Sequence, residues 1–109
     1  MSRSQRDKGA TFEREVAGIL SEHLGRVVKR NLAQARDSGD DITLGKFRIE
    51  CKRRRSISVY PWIDQALESC SSGEVPMVIA RGDGYSPVVV MLLEDFLPML
   101  SGEIGGDAK

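Results

Sequence analysis

The stretch Gly39-Asp40-Asp41-Ile42-Thr43-Leu44-Gly45-Lys46-Phe47-Arg48-Ile49-Glu50-Cys51-Lys52 decides how this chain is read. Ile42 to Leu44 and Phe47 to Lys52 read as two strands, and Gly45-Lys46 between them suits a type II′ turn with glycine in the first position. The segment is therefore expected to be a β-hairpin. Residues two apart on a strand share a face, so Glu50 and Lys52 project together with Cα atoms roughly 6.5 to 7 Å apart. Cys51 alternates with them and should point to the opposite, buried face. Opposite charges on one face of an inner strand are costly to bury unless something pairs with or neutralises them. Charge placed where a strand ought to be apolar marks the segment as a candidate site.

Working outward, the chain reads as one domain spanning residues 1–109, with residues 1–8 and 102–109 expected as flexible tails. Ala10 to Leu24 carries Phe12, Val16, Ile19, Leu20 and Leu24 at helical spacing, with Gly25 as a stop signal. Arg26 to Arg30 is expected as a strand ahead of the hairpin, with a polar segment from Asn31 to Gly39 between them. Pro61 suits a first helical residue, and Trp62, Ile63, Ala66 and Leu67 give an amphipathic helix ending near Ser69 to Gly73. Val75 to Arg81 and Ser86 to Leu92 flank Gly82-Asp83-Gly84 and read as two further strands. A short helix over Glu94 to Leu100 follows, its length restrained by Pro98. The expected fold is α/β, a mixed five-stranded sheet flanked by helices in the order helix, three strands, helix, two strands, short helix.

Composition excludes several classes. The 109 residues are 40% apolar and 29% charged, ordinary for a soluble globular protein. The longest apolar run, Val88 to Leu93, is too short to span a bilayer, and the polar start lacks the apolar core of a signal peptide. The expected setting is cytoplasmic, with no membrane partner. Cys51 and Cys70 are then free thiols, and a single histidine, His23, argues against zinc. The formal net charge of zero conceals an asymmetry. Residues 1–55 hold fourteen Lys and Arg against eight acids, and residues 56–109 hold two against eight. The clusters Arg26/Lys29/Arg30 and Lys52 to Arg55 are of the kind that draws a phosphate backbone.

The first helix holds a second anomaly. At 100° per residue its apolar stripe includes the position of Glu13, whereas Glu15 and Glu22 fall on the far side. An acid on the core-facing side needs a partner, a proton or a cation. Glu13, Asp41, Glu50 and Lys52 together make the inventory of a metal-dependent phosphodiesterase. Mg²⁺ prefers oxygen ligands, which Asp41 and Glu50 on adjacent strands can supply, and Lys52 along the same face can position water or offset transition-state charge. Asp40 competes with Asp41 for its role; adjacency to Ile42 and the strand favours Asp41.

Asp41 followed by Glu50-Cys51-Lys52, with an acid on the preceding helix, resembles the PD-(D/E)xK nuclease superfamily. Within it, Lys8-Gly9-Ala10-Thr11-Phe12-Glu13 together with Asp41 and Ile49 to Lys52 is similar to the archaeal and viral Holliday-junction resolvases. The proline of the superfamily name is replaced by Asp40. The resemblance implies a restriction-endonuclease-like sheet and a homodimer that nicks four-way DNA junctions, with Mg²⁺ or Mn²⁺ and no small-molecule cofactor. The catalytic residues would be Glu13, Asp41, Glu50 and Lys52, with Gln65 as a further candidate, and Asp41, Glu50 and Glu13 would hold the metal. Lys8, Arg30, Arg36, Ser38, Arg53, Arg54 and Arg55 would contact DNA. The host would be a prokaryotic or a virus-infected cell.

Other features have plainer readings. Arg81-Gly82-Asp83 is a hairpin turn, His23 is structural, and Tyr60 and Trp62 serve packing ahead of base stacking. Two function classes remain open: a nuclease, acting on junctions or on flap, nicked or linear DNA, and a non-catalytic nucleic-acid-binding module whose carboxylates pair with nearby arginines.

Overall fold

In the computed structural model, which describes residues 3–32 and 39–105, the hairpin forms as its sequence dictates. Strand β1 (Ile42–Leu44) pairs antiparallel with β2 (Phe47–Arg53), Ile42 opposite Ile49 and Leu44 opposite Phe47. Gly45 turns the chain with φ of 59°, while no residue other than glycine has a positive φ among those described. A type II′ turn requires that combination. Helix α1 (Arg3–Leu24) precedes the hairpin, and α2 (Val59–Glu68) carries the chain from β2 to β3 (Val75–Arg81), which lies parallel to β2. Strand β4 (Val88–Val90) pairs antiparallel with β3, and α3 (Leu93–Glu103) follows.

Among the described residues the sheet has four strands in the order β1-β2-β3-β4, so the expectation of five is corrected. The element order becomes helix, two strands, helix, two strands, helix. Arg26 to Arg30 is not a strand because a side chain of α1 takes up its backbone instead of a ladder. The Val28 N–H donates to Ser21 Oγ at 2.7 Å, and that hydroxyl donates to the Ala17 carbonyl at 2.7 Å. Asn31 N–H then reaches the Asp41 carbonyl at 2.6 Å. The segment is pinned at points rather than paired along its length. Both ends are also more helical than expected: α1 starts at Arg3, and α3 continues through Pro98 to Glu103.

Two apolar clusters cover the two faces of the sheet. Phe12, Val16 and Ala17 of α1 pack with Val28 against Ile42, Ile49, Cys51 and Ile79. On the other face Ile63 and Ala66 of α2 meet Val78 and Ala80, with Trp62, Val90 and Leu92 at the margin. Burying each large apolar side chain contributes about 1.5–3 kcal/mol. The apolar stripe of α1 outruns this core, because Ile19 is 52% and Leu24 45% exposed. Alternation along β2 sends Ile49 and Cys51 into the α1 cluster and turns Glu50 and Lys52 to the α2 face, where they lie in register with Val78 and Ala80. Among the described residues, no helix is long and apolar enough to cross a membrane.

Candidate active site

Asp41 stands immediately before β1, where the hairpin register continues to place it opposite Glu50. Its N–H donates to the Ile49 carbonyl at 2.9 Å, and its Oδ2 accepts the Cys51 N–H at 2.7 Å. Backbone from β2 thereby fixes the Asp41 carboxylate beside Glu50. Both acids are buried, 6% and 4% exposed. Burial, and next the Asp41 charge, push the Glu50 carboxyl up from 4.5 to about 7, with Lys52 pulling the other way and a hydrogen bond between the two carboxyls adding to the rise. Two desolvated carboxylates this close favour a shared proton or a bound cation over two bare charges. An oxygen-only, buried acidic pair is also the donor set a hard divalent cation prefers. The residues present therefore fit Mg²⁺ or Mn²⁺.

The α2 face completes the cluster. Lys52 Nζ donates to Gln65 Oε1 at 2.8 Å, so the lysine is aimed by the helix rather than left to sweep solvent. Ser69, the C-cap of α2, donates to Glu50 Oε1 at 3.5 Å. Sequence reasoning did not single out Ser69, although it lies four residues after Gln65 and so one helical turn along the same face. Gly39 lets the incoming chain pass this helix end. It has φ of 86°, and a Cβ there would meet Ser69 Oγ at 3.3 Å.

Asp40 and Asp41 do different work. Asp40 is fully buried, and its Oδ2 accepts the Thr43 hydroxyl at 2.6 Å and the Asn31 amide at 3.4 Å. It ties the approach to β1 and acts on Glu50 through its charge. Asp41 carries the oxygen set against Glu50. Glu13 is turned inward as the helical spacing implies, 12% exposed, with Arg30 Nη1 3.4 Å from its Oε1. Glu15 faces outward and meets Arg81. Among the described residues no three His, Cys, Asp or Glu side chains gather into a metal-holding group. The structure thus brings together Asp41, Glu50, Lys52 and Gln65, while Glu13 sits with Arg30 on the helix that covers the other face.

The basic residues divide as well. Lys8 and Arg53 both contact Asp83, Arg54 and Arg55 are exposed, and Arg36 and Ser38 lie outside the described residues. Arg30 also lines a groove of about 440 Å³ with Arg14 and Lys29; Arg14 was not among the expected contacts, and only its place beside Glu13 hints at it. Trp62 packs at the margin of the α2 cluster, and Tyr60 is 78% exposed.

The four-stranded mixed sheet with its helices is compatible with a nuclease-like fold. No curated protein and no solved structure matches the chain. A family model described as "Phage putative PDDEXK endonuclease" matches residues 4–103, almost the whole length, and the chain belongs to that family.

Proposed function

We propose that this chain is a Mg²⁺-dependent endodeoxyribonuclease, with Mn²⁺ as a substitute, that resolves four-way DNA junctions as a homodimer. The observation that carries the nuclease reading is the buried Asp41–Glu50 pair, with Lys52 on the same strand face as Glu50 and held by Gln65. Asp41 and Glu50 would hold the cation, which when bound polarises the scissile phosphate and lowers the pKa of water. The remaining chemistry falls to the chain's own groups. The Cys51 N–H orients Asp41 by donating to its Oδ2. Lys52 supplies fixed positive charge where negative charge builds on the phosphate, and its amide partner keeps it aimed. Glu13, which pairs with Arg30 on the α1 side of the sheet, would join this chemistry only as the resemblance implies.

The junction substrate rests on the resemblance to resolvases and on the basic residues around the site. Phosphate contacts from Arg54 and Arg55 would fix strand path rather than base sequence. A twofold dimer would present two sites to opposed strands, as paired nicks require. In support of association, Val88, Val89, Leu93 and Phe96 are 43%, 56%, 68% and 41% exposed along β4 and α3.

The test compares a four-way junction with linear duplex, flap and single-stranded DNA of matched sequence in Mg²⁺. Preferential paired nicking of the junction is expected, with Asp41→Ala abolishing cutting while leaving junction binding in Ca²⁺ intact. Equal cutting of linear duplex would remove the junction assignment. A parent protein that binds DNA and never cuts it would make the fold a binding module.

A further inference from the structure

The turn between β3 and β4 places one acid against two of the cations assigned to DNA. Asp83 Oδ1 lies 3.3 Å from Lys8 Nζ of α1 and 2.5 Å from Arg53 Nη1 of β2. Both cations therefore converge on a single oxygen, from different elements. The turn is fixed in place by backbone: the Asp83 N–H donates to the Arg55 carbonyl at 3.3 Å, and the Arg54 N–H to the Arg81 carbonyl at 3.1 Å. Asp83 is nonetheless half exposed, and Lys8 is 43% exposed. The two cations hold its carboxyl below the usual carboxylate range. Arg53, 20% exposed, is turned toward this acid from 30 residues away, while Arg54 and Arg55 at the same strand end lie exposed.

A carboxylate oxygen held by a lysine and an arginine is what a phosphodiester oxygen receives from the same pair. We infer that Lys8 and Arg53 form a binding site for a backbone phosphate of the nucleic-acid substrate, and that Asp83 occupies this site in the DNA-free protein and is displaced when the phosphate enters. This rests on the nuclease reading above and adds a restraint to it. Asp83 lowers affinity for any polyanion that does not bring a phosphate to this point, so the chain's basic half does not bind nucleic acid at its full charge. Arg53 follows Lys52 along β2 and by strand alternation projects to the α1 side, so a phosphate seated here lies at the end of the strand that carries the site, across the sheet from Lys52. Asp83 acts through the two cations.

The test is equilibrium binding of linear duplex and four-way junction to the parent protein and to Asp83→Asn in Ca²⁺, over a series of salt concentrations. Each phosphate contact adds about 0.9 to the slope of log affinity against log salt. Freeing two cations is therefore expected to steepen the slope by about one to two and, near 0.1 M salt, to tighten binding roughly tenfold. Arg53→Gln placed on top of Asp83→Asn should return both quantities toward the parent values. Asp83→Ser is measured alongside, so that a single misfolded variant does not decide the result. Unchanged affinity and slope in both variants overturn the inference and leave the nuclease reading standing. Weaker binding also overturns it, because Asp83 would then be positioning the cations rather than competing for them. If neither parent nor variants bind DNA, this inference and the nuclease reading fail together.

Discussion

The two edges of the sheet break the usual rule of burial in opposite directions. At the β1 edge three acids are inside: Asp40 is fully buried, and Asp41 and Glu50 are 6% and 4% exposed. At the β4 edge apolar residues are outside, with Val89 56% and Leu93 68% exposed and no residue of α3 buried. The same 109 residues thus store unfavourable electrostatics at one edge and uncovered apolar surface at the other. The first is tolerated because each buried oxygen has a donor or a neighbouring charge; among the described residues no buried side-chain polar atom lacks a partner. The second has no such compensation among the described residues. In the proposed reading the buried acids hold a cation and the exposed apolar edge meets protein. The contrast can be broken from either end.

The largest expected effect lies at the acidic edge. Asp41→Ala removes the oxygen set by the Cys51 N–H and is expected to lower Mg²⁺-dependent cutting by at least about 10²–10³-fold, the scale of losing one organised electrostatic group. Cutting within a few fold of the parent would show that the buried acids are structural.

Next in size is the pH dependence of folding. Glu50 rises from 4.5 to about 7, so the folded chain holds its proton more tightly than the unfolded chain does. Its favourable contribution is fully present below pH 4.5 and is lost as pH climbs through 7. At 1.36 kcal/mol per unit the total is roughly 3 kcal/mol. In chelator, urea unfolding of Glu50→Gln should match the parent near pH 4.5 and exceed it by a few kcal/mol at pH 8. Added Mg²⁺ should narrow that gap by stabilising the parent alone. Equal stabilities at both pH values would show that Glu50 is not destabilised in the fold.

Asp40→Ala separates the neighbouring acids. It deletes the acceptor of Thr43 and Asn31 from a fully buried position, and is expected to cost about 1–3 kcal/mol in urea unfolding. Cutting by the folded fraction should persist. A loss of cutting equal to that of Asp41→Ala, with stability unchanged, would exchange the roles assigned to the two residues.

What the sequence made legible follows the same divide. The hairpin, its turn and the shared face of Glu50 and Lys52 were readable because period-two alternation and a glycine turn are local signals. The inward tilt of Glu13 was readable from helical spacing. The false strand at Arg26 to Arg30 arose because Val27 and Val28 have strand-like side chains, while the Ser21 hydroxyl that claims the Val28 backbone is seven residues away. No local pattern announces such a bond. Charge misled in a related way. The basic half and the acidic half are separate in sequence, but Arg48 meets Glu74 and Arg53 meets Asp83 in the fold, so part of the asymmetry cancels in space. Ser69 was missed for want of knowing that α2 lies over Glu50 rather than over the opposite face. Long-range pairing decides these, and a single sequence does not display it.

The smallest expected effect belongs to the apolar edge and is the one that sharpens the comparison most. Val89 lies opposite Ile79 on β4 and lines an apolar groove of about 190 Å³ with Val16, Ile19 and Leu20. More than half exposed, it contributes little to the folded monomer, so Val89→Lys should change unfolding free energy by no more than about 0.5 kcal/mol in dilute solution. Lysine on an edge strand opposes pairing with another strand. If the edge is covered by a second copy, sedimentation at micromolar concentration should show a dimer in the parent and a monomer in Val89→Lys, with melting dependent on protein concentration in the parent alone. A substitution that unfolds the chain at every concentration would mean that Val89 belongs to the core. The β4 edge would then differ from the β1 edge in chemistry but not in burial, and only the acids would remain out of place.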